Sequence, residues 1–160
     1  MKLKTLFKNF QLERIKLSAS SAEVEISFKT ADKDAAWELY IEMLTRIVTQ
    51  PLPSEAGDEK TALDSVCELF AITREILRRQ GRGTIQFSKI AIPVLNQVVR
   101  PFTAKWHKKS LTGAFKQEHK KKEFREELEI LQSELQNYNS MLAKIAGVED
   151  LTDLERTTSK

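Results

Sequence analysis

"FREELEILQSELQNYNSMLAKIAG", residues 124–147, decides how this chain folds. Phe124, Leu128, Leu131, Leu135, Tyr138, Leu142 and Ile145 recur at alternating steps of four and three. That is a heptad seam over three repeats, and Gly147 stops it. The seam predicts a long final helix. Its partner is either another helix of the same chain or its twin in an oligomer.

Working back from that helix, further helical segments follow. Residues 58–80 carry Ala62, Val66, Leu69, Thr73 and Ile76 on one line, with Leu63, Phe70 and Leu77 on the next. "GRG" at 81–83 terminates them. A helix from about Asp32 to Gln50 has Thr30 or Asp32 as its cap and Trp37, Ile41, Leu44 and Val48 as its apolar stripe. Pro51 disfavours a helical residue before it. Thr84 caps a third segment that contains Pro93 and Pro101. An interior proline removes a hydrogen bond, so a kink or break is expected near Pro93. A short strand at "IQFSKIAI" is the alternative there. "LTGAF" reads as a turn around Gly113.

The N-terminal part reads differently. Leu3, Leu6, Phe7 and Phe10 have helical spacing among lysines, giving a basic amphipathic lead-in over 1–11. It either docks on the domain or lies on an anionic membrane surface, and docking is favoured because ten residues bury little in lipid. "ERIKLSA" and "AEVEISFK" alternate in polarity and predict a β-hairpin over 12–30. Arg14 and Lys16 would face Glu23 and Glu25 across it. The fold class expected is mainly α, with three to four long helices around one bundle-like core and a small N-terminal β-hairpin. All 160 residues form one domain in this reading: hairpin 12–30, helices 32–147, tail 148–160.

The bulk numbers narrow the function classes. The hydrophobic fraction is 41% and the charged fraction 31%, the balance of a folded, polar domain. No run of eighteen apolar residues exists, and "MKLKTLFKNF" lacks the apolar centre of a signal peptide. The one cysteine, Cys67, sits in an apolar helical context and reads as a small buried residue; a reducing, cytoplasmic compartment follows. No Gly-rich phosphate loop, HExxH, nucleophile elbow or cysteine pair is present, and His107 and His119 are twelve apart, so neither catalysis nor a metal site nor a cofactor is expected.

Charge is the informative feature. The net charge is +3. Residues 100–125 hold nine Lys/Arg against Glu118 and Glu123, a local +7, so the remainder is −4. Within that window "RPFTAKWHKK", residues 100–109, sets polar groups beside the apolar line Ile92, Leu95, Val99, Phe102 and Trp106. Arg100 offers a planar fork for phosphate or carboxylate. Asn96 and His107 share its line, and Lys105, Lys108 and Lys109 add outer attraction. These six residues form the candidate anion site. The competing reading pairs Arg100 with a glutamate of the last helix and leaves Trp106 as core. The low total charge and the lack of a helix-turn-helix signature argue against double-stranded DNA.

Three stretches together resemble a known family: "TADKDAAWELYIEMLTRIVTQPL" (30–52), "AIPVLNQVVRPFTAKWHKKSLTGAF" (91–115) and "EFREELEILQSELQNYNSMLAKIAGVEDL" (123–151). They are similar to the soluble sensor domain of CRISPR type III membrane effectors gated by cyclic oligoadenylate. The resemblance implies antiviral defence, a membrane segment preceding the domain, a homo-oligomeric sensor at the inner face of a bacterial membrane, and cyclic tetra-adenylate as the nucleotide ligand. It assigns no binding residue. The alternative function is a helical protein–protein interaction module, with the heptad seam recruiting a partner helix.

Overall fold

Gly147 adopts φ 74°, and its N–H bonds back to the Ala143 carbonyl. A left-handed residue of this kind ends a helix at low cost only when it is glycine. The helix it closes, α7 (Glu118–Ala146), is the longest in the computed structural model, which describes residues 1–152. All seven seam residues of α7 are buried. They face their own chain: α7 lies chiefly against α3 (Thr30–Leu44).

The other elements are α1 (Leu3–Asn9), the one-turn α2 (Ala19–Ala22), α4 (Glu59–Gln80), α5 (Ile85–Pro93), α6 (Arg100–Leu111) and 3₁₀ turns at Gly81–Thr84 and Ala114–Lys116. Asp58 caps α4, accepting from the Thr61 N–H at 2.7 Å. One core cluster draws on α1, α3, α4, α5, α6 and α7. Thus α1 docks its Leu3, Leu6 and Phe7 on the domain. No described helix is long and apolar enough to cross a membrane.

The two prolines leave the third segment helical and change its pitch. A π-helical stretch, Val94–Val99, joins α5 to α6 without a break, and Arg100 N–H reaches the carbonyl of Leu95. Pro101 lacks an N–H and its ring crowds the carbonyl four residues back; the wider π turn accommodates both. The strand alternative at 85–92 is not adopted.

The predicted β-hairpin over 12–30 is not formed: no strand is present among the described residues. Ser18 caps the turn of α2 instead, accepting from the Ser21 N–H. Residues 24–26 meet the N-terminus through a single antiparallel bridge, Lys2 with Glu25. Leu3 N–H donates to Val24 at 3.0 Å and Ile26 N–H to Met1 at 2.8 Å. The ladder stops there because Leu3 enters α1. The alternation itself was real: Ala22, Val24, Ile26 and Phe28 are covered, while Glu23, Glu25, Ser27 and Lys29 are exposed. The expected ion pairs also change partners. Lys2 pairs with Glu23, the N-terminal amine with Glu25, and Arg14 with Glu134.

The stripe of α3 is rotated from the expected one. Ala35, Ala36, Leu39 and Met43 are buried, while Trp37 and Ile41 are 44% and 40% exposed. Two alanines in the contact let α3 approach its neighbours closely. That close face outweighs the larger area a buried Trp37 would offer. The helix also ends at Leu44, six residues before Gln50. Residues 45–50 continue as turns, with the Thr49 hydroxyl donating to the Met43 carbonyl at 2.6 Å. Of the tail expected at 148–160, residues 153–160 lie outside the described residues.

Candidate functional site

The six candidate residues lie on one helical unit, the π segment followed by α6, but they divide between two of its sides. Arg100 and Asn96 are exposed and look toward α4. Both the Nε and Nη2 of Arg100 donate to Asn96 Oδ1, at 3.0 and 2.9 Å. The guanidinium carbon stands 4.7 Å from the centroid of the Phe70 ring. Arg100 is thus held by an amide and an aromatic face. No carboxylate among the described residues holds it.

Lys105 and Lys109 turn the other way, toward α7. Lys105 pairs with Glu127 and lies 3.3 Å from Glu123. Lys109 bonds Glu123 at 2.6 Å and stands 4.6 Å from the Trp106 ring centroid. The Trp106 indole N–H donates to Glu127 at 2.9 Å. Trp106 itself is fully buried, edge-on to Phe124 and stacked near Phe115. These contacts make Lys105, Trp106 and Lys109 the clamp between α6 and α7. Beside them a shallow groove of 330 Å³ runs between Arg14, Pro101, Phe102, Lys105, Glu127, Ile130 and Leu131.

His107 and Lys108 are exposed, and among the described residues their side chains have no partner. His107 lies seven residues from Arg100, two turns along the same line. The structure therefore brings Asn96, Arg100 and His107 onto one outer line and takes Lys105 and Lys109 away from it.

The rest of the basic window, residues 116–125, is also largely satisfied within the chain. Lys120 bonds Glu123 at 2.6 Å and Lys121 bonds Glu118 at 2.7 Å. Arg125 points into the molecule, to Glu59 and the loop before α4. Glu123 collects Lys109, Lys120 and Lys105, and these hydrogen bonds hold its carboxyl at about 2, below the usual carboxylate range. A depressed folded-state value gives stability that is present above the ordinary range and lost as pH falls toward 2. The melting temperature of the wild type should therefore drop more between pH 5 and pH 2 than that of Glu123→Gln, the two curves converging at the acid end. Circular-dichroism melts across that range check it, and parallel curves would remove Glu123 from the account. The site is partly exposed, so added salt should shrink the difference.

Sequence reasoning also passed over a row of cations on α4: Arg74, Arg78 and, in the following 3₁₀ turn, Arg82 are exposed and lack a carboxylate partner among the described residues. The signal was available. From residue 69 to residue 117 there are ten Lys/Arg and one acidic residue, Glu75. Five of those ten cations precede residue 100.

No family model, no curated protein and no solved structure matches this chain.

Proposed function

We propose that the chain is a non-catalytic helical sensor domain that binds an anionic nucleotide through the outer line Asn96, Arg100 and His107. The observation that carries it is the state of Arg100: exposed, pre-positioned by Asn96 and Phe70, and without a carboxylate partner among the described residues. An arginine held in one orientation with its charge uncompensated loses little freedom when phosphate arrives. Lys105 and Lys109 drop from the binding set and become scaffold. The family resemblance narrows the ligand to a cyclic oligoadenylate. Symmetric association of copies would gather one Arg100 from each chain around it.

Thermal melts with cyclic tetra-adenylate, linear tetra-adenylate and no ligand test this reading. A ligand at a hundred times its Kd stabilises by about 2.7 kcal/mol. At roughly 2–4 °C per kcal/mol that is a rise of about 5–10 °C. The rise should occur with the cyclic form and vanish in Arg100→Ala. No rise with either nucleotide overturns it.

A second reading keeps the fold and drops the nucleotide: a protein-interaction module. What favours it is the internal neutralisation of Lys105, Lys109, Lys120 and Lys121, together with the exposed Trp37 and Ile41 on α3.

A further inference from the structure

The described arginines fall into two groups. Arg14, Arg46, Arg79 and Arg125 each pair with a carboxylate. Arg74, Arg78, Arg82 and Arg100 pair with none among the described residues, and all four are exposed. The second group is not scattered. Arg74 and Arg78 stand one and two turns beyond Phe70 on α4, and the Arg100 guanidinium lies over that same Phe70 ring. The row therefore runs along the edge of α4 and crosses to the start of α6. Nearby acids are committed elsewhere: Glu75 to Arg79 and Glu68 to Arg46.

Like charges in a row repel, and a chain with 23 Asp/Glu had the means to intersperse acids here, as it does around Lys105 and Lys109. The row is left bare over two turns of α4, each about 5.4 Å. Planar forks repeated at that interval suit a ligand that carries several phosphates in line; a single phosphate would engage only one or two of them.

We propose that Arg74, Arg78 and Arg100 form a phosphodiester-binding face for an oligonucleotide backbone. The inference rests on the sensor reading for Arg100 and extends the same site onto α4. Binding is electrostatic along the backbone and loosens with salt, each neutralised phosphate of a single strand adding about 0.7 to the slope of log K against log salt.

Fluorescence anisotropy with a fluorescein-labelled single-stranded oligoadenylate is the test. The exposed double variant Arg74→Gln/Arg78→Gln should melt like the wild type, bind about ten-fold more weakly at low salt, and show a salt slope shallower by about 1.4. Lys122→Gln, on α7, should leave affinity and slope as in the wild type. If the wild type does not bind the labelled strand at low salt, or the double variant matches it in affinity and slope, the face is wrong. The sensor reading is judged separately: should cyclic tetra-adenylate still stabilise the wild type and not Arg100→Ala, that reading survives the loss of the α4 row. In the reverse case, a strand that needs Arg74 and Arg78 with no effect of the cyclic nucleotide retires the cyclic ligand and keeps the face.

Discussion

Replacing Asp32 with alanine will lower the melting temperature by on the order of 10 °C. Asp32 is fully buried in the first turn of α3, and its two carboxyl oxygens close two helix starts. Oδ2 accepts from the Lys29 N–H at 3.0 Å, at the entry of α3. Oδ1 accepts from the Phe87 N–H at 2.9 Å, in the first turn of α5. The first N–H groups of a helix have no partner within it. Thr84 stands at the cap position of α5, but its hydroxyl donates to Gly81 and leaves Phe87 to Asp32. Gly83 keeps the two starts close: a Cβ there would meet the Ala31 Cβ at 2.8 Å. Alanine at 32 removes both acceptors and leaves a buried Phe87 N–H unpaired. A lost hydrogen bond to a carboxylate costs about 1.5–3 kcal/mol, and an orphaned buried donor about 1–3 kcal/mol. The sum of overlapping losses is about 3–5 kcal/mol, a large part of the roughly 5–15 kcal/mol that holds a domain folded. Asp32→Asn keeps one acceptor and turns an amide N–H₂ toward the other donor, so it should fall between alanine and wild type. Urea unfolding of the three proteins checks the order. An alanine variant within 1 kcal/mol of the wild type would show that water replaces the carboxyl and that this bridge is dispensable.

The sequence had part of this in view. Asp32 reads as a cap for its own helix, but nothing local connects residue 32 to residue 87, since that bond exists only once α3 and the 3₁₀ turn lie together. The same boundary runs through the rest of the chain. The heptad seam of α7, the glycine that ends it and the apolar lines of α4 were legible because each depends on spacing within one helix. The N-terminal alternation told which side chains face inward over 22–28, yet not which segment they pair with, and the pairing went to residues 1–3. Trp37 and Ile41 have helical spacing as good as Ala35, Leu39 and Met43; periodicity fixes that a stripe exists, while which of two equally spaced lines is buried depends on the helices packed around α3. At the candidate site Asn96 and Arg100 were found from adjacency on one turn. Lys105 and Lys109 were grouped with them because the carboxylates that take them, Glu123 and Glu127, lie across the Gly113 turn on another helix.

Arg125→Ala should be the other severe change, through a loop whose own backbone closes one turn, Gly57 N–H to the Pro53 carbonyl at 2.9 Å. Residues 51–58 hold no regular element apart from turns, yet Leu52 packs against the core. Arg125 supplies the missing order from α7. Its Nε donates to Glu59 at 2.7 Å, Nη1 to the Pro53 carbonyl at 3.0 Å and Nη2 to the Gly57 carbonyl at 3.0 Å. Glu59 is 6% exposed, in the first turn of α4, where its charge also favours the helix dipole. Truncating the arginine strands that carboxyl and removes a donor from the Gly57 carbonyl, while the Pro53 carbonyl keeps the Gly57 N–H at 2.9 Å. Breaking a buried pair by removing one partner costs about 3–5 kcal/mol, and the partial exposure of the guanidinium brings the expectation to about 2–4 kcal/mol. Lysine in its place reaches one of these groups at a time and should recover less than half of the loss. The penalty comes largely from the abandoned Glu59, so Glu59→Gln/Arg125→Ala should cost clearly less than its two single changes added together. Limited proteolysis gives an independent reading, because cleavage within 52–57 should quicken in Arg125→Ala before the rest of the domain becomes susceptible. Additive single costs with an unchanged cleavage pattern would mean that the loop holds itself in place, and that Arg125 belongs with the solvent-facing cations after all.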